Sequence, residues 1–282
     1  MKVSPSKIKV FGDCANQFKY QYVLELPGQQ YGALTVLGTV FHYAAEVYEL
    51  YDNDIDLAVQ TFRYYWNHSD ELGQKIDWYP PRTSHQTLED RGVEMLERYH
   101  DLSPWKGGEL VGTEIRFEVP LGSHQIRGVV DKLFYRPQKR ELEIIDFKTG
   151  ARVPKRLRYN LQFTCYLYAT TRPEFWEQVP GWEDFWPQAM TLKRQGQWFH
   201  ARDAKVFNVG YRDDSDYRRL LLAVDQMEAA IEAGIYPLTI EGEVCGWCPW
   251  LEDCGTEVES PNHELADRLQ EPDRRRAHAI PS

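Results

Sequence analysis

The sequence predicts an α/β domain with a mixed central sheet flanked by helices. Three observations carry this. Apolar residues recur at helical spacing through the first hundred positions, the period changes to alternation near residue 109, and a helical period returns near residue 157. Helices, a strand meander, a helix, further strands and a last helix is the order of a sheet with helical additions.

The elements follow in chain order. Residues 4–26 read as a helix entry and a helix, with Ser4 as cap, Pro5 in the first turn and Gly12-Asp13 interrupting the run. Residues 38–66 carry apolar side chains at helical spacing, residues 67–84 are a polar connection, and 85–102 are amphipathic. Leu110–Leu121, Gln125–Tyr135 and Glu141–Lys148 read as three strands joined by turns at Gly122-Ser123-His124 and Arg136–Arg140. Residues 157–171 read as a helix, then a loop with Trp176, Trp182 and Trp186, strands near 187–194 and 197–201, and a helix over 213–234 ending at Gly234. Residues 241–256 are cysteine-rich and irregular. We expect one domain over 1–258 and a disordered, Arg-rich tail over 259–282.

The chain has 282 residues, 42% apolar and 27% charged, enough for a full core. No apolar run approaches the roughly 20 residues that cross a bilayer, so no membrane is expected. Met1 to Ser6 lead into no signal-peptide core, and the expected location is the cytoplasm. A net charge of -10 argues against a nucleic-acid partner. The argument is weak where a metal site needs carboxylates and binding depends on local patches. Two basic clusters stand out: Lys148, Arg152, Lys155, Arg156 and Arg158, and Arg136, Lys139 and Arg140. Such clusters are ordinarily solvated faces.

The chemistry concentrates in Gly128-Val129-Val130-Asp131 and Ile144-Ile145-Asp146-Phe147-Lys148-Thr149-Gly150. Alternation on a strand places Asp146 and Lys148 on one face and Ile145 and Phe147 on the buried other. A hairpin brings Asp131 beside Asp146. Two carboxylates and a lysine on one face call for a hard cation, Mg²⁺ or Mn²⁺. Such an ion activates water at a phosphodiester, and Lys148 stabilises the charge that develops. By itself Asp-x-Lys also fits a solvated hairpin face.

These segments, with Leu161-Gln162-Phe163-Thr164-Cys165-Tyr166, resemble the RecB-type branch of the PD-(D/E)xK nucleases. That branch carries Gly-x-hydrophobic-Asp, then Asp-Tyr-Lys-Thr-Gly, then a helix with Gln-x-x-x-Tyr. The resemblance implies a restriction-endonuclease-like core and a metal-dependent deoxyribonuclease. Gln162 and Tyr166, four apart and on one helical face, then touch DNA or support the site. In Gly38-Thr39-Val40-Phe41-His42 it makes His42 a metal ligand beside Asp131, Asp146 and the Phe147 backbone carbonyl. Glu114 is implied as acidic support; Glu46, one turn after His42, is placed to be a partner of His42. Val130 stands where the superfamily has its proline, and Phe147 where tyrosine is commoner.

Five cysteines are present. Cys245-x-x-Cys248-Pro249 and Cys254 are one thiol short of a four-ligand site, and Cys14 is the natural fourth. Spacing leaves Zn²⁺ and an iron–sulfur cluster level, with ordinary buried cysteines as a third reading. The set resembles the iron–sulfur nucleases related to the AddB subunit and the CRISPR-associated four-cysteine exonucleases. That resemblance implies a [4Fe–4S] staple closing the domain. Cys165 is read as packed and apolar.

The function implied is a DNA exonuclease acting on single strands or ends, in repair, recombination, phage replication or CRISPR adaptation. Two competitors stand beside it. One is a DNA-binding iron–sulfur module, or a subunit active only with a helicase or recombination partner. The other is an iron–sulfur redox protein, against which no radical-type cysteine spacing or nucleotide-binding Gly-rich loop appears.

Overall fold

The computed structural model describes residues 1–26, 32–102, 105–239, 244–251 and 254. The tail expected over 259–282 lies outside them. At the start, Lys2–Val3 form a short strand, β1. Ser4 accepts the Lys7 N–H at the head of α1 (Pro5–Asp13), and Pro5 takes the first turn, where its missing N–H costs nothing. Beyond Asp13, Cys14 caps the four-residue helix α2 (Ala15–Phe18), its sulfur 3.5 Å from the Gln17 nitrogen.

The apolar period over 38–66 predicts one helix, and two are found, α3 (Ala33–Leu50) and α4 (Ile55–Asn67). Asp52 and Asn53 take φ of 52° and 60°, and Asp54 caps α4 by accepting the Leu57 N–H at 3.0 Å. Asp and Asn tolerate that left-handed backbone, and a pattern of apolar spacing does not register it. α5 (His85–Leu102) packs against both.

The meander follows as expected: β2 (Glu109–Leu121), β3 (His124–Arg136) and β4 (Glu141–Lys148). α6 (Leu161–Ala169) comes next. The expected Trp-rich loop holds two short helices instead, α7 (Pro173–Trp176) and α8 (Trp182–Ala189), with Trp176 fully buried. The strands expected near 187–194 and 197–201 are replaced by one, β5 (Lys193–His200), followed by an unpredicted β6 (Lys205–Gly210). Buried Gln195 and Gln197, hydrogen-bonded at 3.3 Å, obscure the alternation of β5. α9 (Asp214–Glu232) starts in a capping box at Asp213, and Gly234 behind it has φ of 68°.

The sheet runs β1-β3-β4-β5-β6, with β2 on β3. β4 and β5 are parallel, and α6 to α8 lie in the crossover between them. One core joins Val130, Leu133 and Ile144 to α1, α6, α7 and α9; the other joins Phe134, Ile145, Phe147 and Phe199 to α3, α4 and α5. Helices therefore cover both faces. Every β4 residue from Glu141 to Phe147 is buried, which removes the alternative of a solvated hairpin face at Asp146. Of the described helices, none is long and apolar enough to cross a membrane.

Next to Asp131, Lys132 turns into the second core. Its ammonium lies 2.7 Å from Glu49 of α3 and 3.1 Å from the Tyr99 hydroxyl, over the rings of Trp105 and Phe134 at 4.7 and 5.1 Å. Burial pushes the Lys132 pKa down, against the pull of Glu49. The pair fastens α3 to β3, and both ends are nearly inaccessible, at 3% and 6% exposure. Removing one partner strands a buried charge. We expect Lys132→Ala to cost about 3–5 kcal/mol in urea unfolding, and the paired change Lys132→Met with Glu49→Leu to recover most of it. A loss under about 1 kcal/mol in the single variant would contradict this account.

Candidate metal centre

β3 uses its second edge twice. Gln125 and Ile126 pair with Lys2 and Val3 in the register; Lys132 to Arg136 pair with β4. The β3–β4 register ends at Lys132 and Ile145, while Asp146, Phe147 and Lys148 continue to pair with β5. Between the two stretches the strands separate. There the Asp131 carboxylate accepts the Phe147 N–H at 2.7 Å, replacing a backbone rung with a side chain. Gly128 sits in the same stretch, and a Cβ on it would lie 2.7 Å from the Phe117 ring.

Three other elements close on this gap. α3 brings His42, whose Nε2 is 3.0 Å from the Phe147 carbonyl. Its Nδ1 lies 3.5 Å from Asp131 and 3.8 Å from Glu114. Glu114 stands on β2 with φ of 45°, a left-handed backbone inside a strand. Non-glycine residues avoid that region, and such strain collects at functional sites. Among the described residues, one group of three metal-ligating side chains has its ligand atoms within 4.8 Å of one another: His42, Glu114 and Asp131. Behind it, burial and the charge of Glu114 raise the pKa of Glu46, while Arg116 opposes the rise.

Asp146 is fully buried and turned toward Lys148, whose Nζ lies 2.6 Å from Oδ2. Its Oδ1 has no hydrogen-bond partner. Burial pushes the carboxyl up to about 6, with Lys148 pulling the other way and Asp131 adding to the rise. Burial also raises Asp131, against His42 and Lys148. For His42 and Lys148 burial favours the neutral form, yet the carboxylates outweigh it and both pKa values rise. Lys148, over the Trp198 ring at 5.6 Å, therefore stays an ammonium at neutral pH.

On α6 the Gln162 amide donates to the Tyr166 hydroxyl at 2.6 Å, so the pair expected on one helical face is joined there. Both line a cavity of about 690 Å³ together with Asp131. Of the basic residues marked in the sequence, Arg158 pairs with Asp216 at 2.8 Å and Arg136 with Glu143 at 3.1 Å. Arg116, Lys132 and Trp198 were not singled out in the sequence. The available signal was the position of Arg116 two residues after Glu114 on one strand.

The chain ends approach each other through the cysteines. Asn16 Nδ2 lies 3.5 Å from Cys254 Sγ, and Cys245 Sγ 4.0 Å from the Thr239 carbonyl. Thr239 in turn donates to the Asp13 carbonyl. Burial raises the Cys248 thiol, and charge on Cys14, Cys254 and Cys245 raises it further. Burial acts the same way on Cys14, but hydrogen bonds from Gln17, Thr239 and Asn16 outweigh it and bring the pKa down toward the thiolate. Cys165 is buried and apolar in its surroundings, and burial drives its thiol far up.

The residues fit a hard divalent cation. They crowd carboxylates and one imidazole in a half-buried gap, and they leave Asp146 Oδ1 without a partner. Each ligand must shed its proton to bind. With Asp146 near 6 and His42 and Asp131 raised, acid competes with the metal. We expect Mn²⁺ to raise the melting temperature more at about pH 7.5 than at about pH 5.5. An equal rise at both would contradict this reading.

A family model described as "PD-(D/E)XK nuclease superfamily" matches residues 2–255. No curated protein matches the chain. Among solved structures, a chain titled "Crystal structure of SSO0001" matches at a TM-score of 0.37 and 11% identity, over 91% of this chain and 87% of that one, a likeness too low to build on. The family match spans nearly the whole sequence, and the chain belongs to the PD-(D/E)XK nuclease superfamily.

Proposed function

We propose that the chain is a metal-dependent DNA nuclease, an exonuclease on single strands or free ends, with its centre at the gap between β3 and β4. One observation carries this most: a buried carboxylate oxygen, Asp146 Oδ1, without a partner beside the group His42, Glu114 and Asp131. These three and Asp146 would hold Mg²⁺ or Mn²⁺. The Phe147 carbonyl, 3.0 Å from His42 Nε2, would be a further oxygen ligand.

A bound ion supplies Lewis acidity at the scissile phosphate. The chain supplies the rest. Lys148, held charged by Asp146 and Asp131, offsets the negative charge that grows on the phosphate. Asp131 fixes the edge of β4 through the Phe147 N–H, so the ligands on both strands keep their spacing. Gln162 and Tyr166, joined to each other, border the space beside Asp131 and orient what enters it.

The four cysteines belong to the same proposal as a structural [4Fe–4S] staple. The lowered Cys14 pKa and the mutual influence of Cys248 with the other three support a shared ligand. No three of these thiols, among the described residues, fall within 4.8 Å of one another.

Two experiments test the proposal. End-labelled single-stranded, duplex and circular DNA is incubated with Mg²⁺ or Mn²⁺ and either the intact chain or Lys148→Ala. Cutting that needs metal, spares circles and falls at least about a hundredfold in the variant is expected. DNA that is bound but never cut would overturn the nuclease reading in favour of a binding module or a partner-dependent subunit. For the staple, anaerobically purified protein should show a broad visible absorbance that dithionite bleaches and Cys248→Ser removes. Colourless protein containing zinc would overturn the cluster.

A further inference from the structure

Arg116 occupies a position that the metal centre does not explain. The space around the centre is two cavities. The first, about 690 Å³, is lined by Asp131, Gln162, Tyr166 and Arg127. The second, about 770 Å³, is lined by His42, Glu114, Glu46 and Thr149. The ligand group is thus divided between them, Asp131 in one and His42 and Glu114 in the other. Arg116 is the one residue that lines both. Its guanidinium therefore stands at the border between the two cavities, one lined by Asp131 and the other by His42 and Glu114.

That guanidinium is exposed and makes no hydrogen bond and no ion pair within 4.0 Å among the described residues. Its neighbour Glu118 is taken by Lys2 at 2.7 Å. An arginine flanked by Glu114 and Glu46, yet paired with neither, keeps its five donors available. Each cavity falls in the roughly 300–1,000 Å³ range that encloses a drug-sized molecule. Two such spaces, one on either side of Arg116, exceed what one mononucleotide fills and suit a chain continuing on both sides of the cleavage point. A strand entering a protein of net charge -10 needs local positive charge. The arginine fork matches the phosphodiester oxygens that such a strand presents.

We propose that Arg116 holds a backbone phosphate of a single nucleic-acid strand that crosses the centre from one cavity into the other. The proposal rests on the nuclease reading and adds the strand's path to it. Arg127, exposed in the first cavity, is the next contact on that side.

The test is binding of a fluorescent single-stranded DNA oligonucleotide by anisotropy at several salt concentrations, with Ca²⁺ in place of Mg²⁺ to hold off cleavage. Arg116→Ala should weaken binding about tenfold and reduce the slope of log affinity against log salt by about 0.7, the share of one phosphate contact on a single strand. Arg116→Lys should recover part of the affinity, and Arg218→Ala, outside both cavities, should change nothing. The Mn²⁺-induced rise in melting temperature should be the same in Arg116→Ala as in the unaltered chain. Unchanged affinity and slope in Arg116→Ala would overturn the proposal. So would loss of the Mn²⁺ response, which would make Arg116 a support of the metal group. An unaltered chain that cuts DNA while Arg116→Ala binds normally sinks only this inference. A chain that binds through Arg116 but never cuts sinks only the nuclease reading.

Discussion

A β-ladder that ends inside a protein leaves a backbone N–H that must still find an acceptor. Where β3 and β4 separate, that acceptor is the Asp131 carboxylate, 2.7 Å from the Phe147 nitrogen. Much else depends on this substitution of a side chain for a rung. It lets the strands part without stranding a polar group, and it opens the gap that Asp146 and Lys148 border. It also orients Asp131 between His42 and Glu114. The cost is electrostatic: acids are crowded where water is scarce, and burial raises both Asp131 and Asp146 above ordinary carboxylates. Lys148 offsets part of it. A divalent cation would supply the rest.

The scaffold around the gap is stiff for identifiable reasons. α3 carries His42 midway along its length and Glu49 two turns later, and Glu49 is fastened to Lys132 directly after Asp131. Ligands from a helix and from a strand are thereby tied to each other through the opposite core. Parallel pairing with β5 holds Asp146 to Lys148 in register even where β3 has departed. The centre's geometry is set by the sheet and its two cores rather than by loops.

Much of this was legible in the sequence, and the exceptions share a cause. Period and turn chemistry gave the meander, α1 with its Ser4 cap, and α9 with Gly234 behind it. Asp131, Asp146 and Lys148 stood out through the resemblance of their segments to a nuclease branch; alone, two acids and a lysine also fit an ordinary hairpin face. The division of α3 from α4 at Asp52-Asn53 was not visible, since only left-handed backbone marks it. β5 escaped because buried glutamines interrupt its alternation, and β6 because a six-residue strand at the end of the sheet order is mostly exposed. That Asp146 is wholly buried was not visible, because a sequence does not say that helices will cover both sides of the sheet. Arg116 went unnoticed for a related reason: its position at the meeting of two cavities is a property of the assembled fold.

The central claim is that the parting of β3 and β4 is a metal site. The most direct test is a crystal of the intact chain soaked in Mn²⁺, with data collected for anomalous scattering. The account predicts one strong peak in the gap, about 2.1 Å from the Asp131 carboxylate, with His42 and at least one of Glu114 and Asp146 also bound to it. A map with no peak there, at neutral pH, would contradict it.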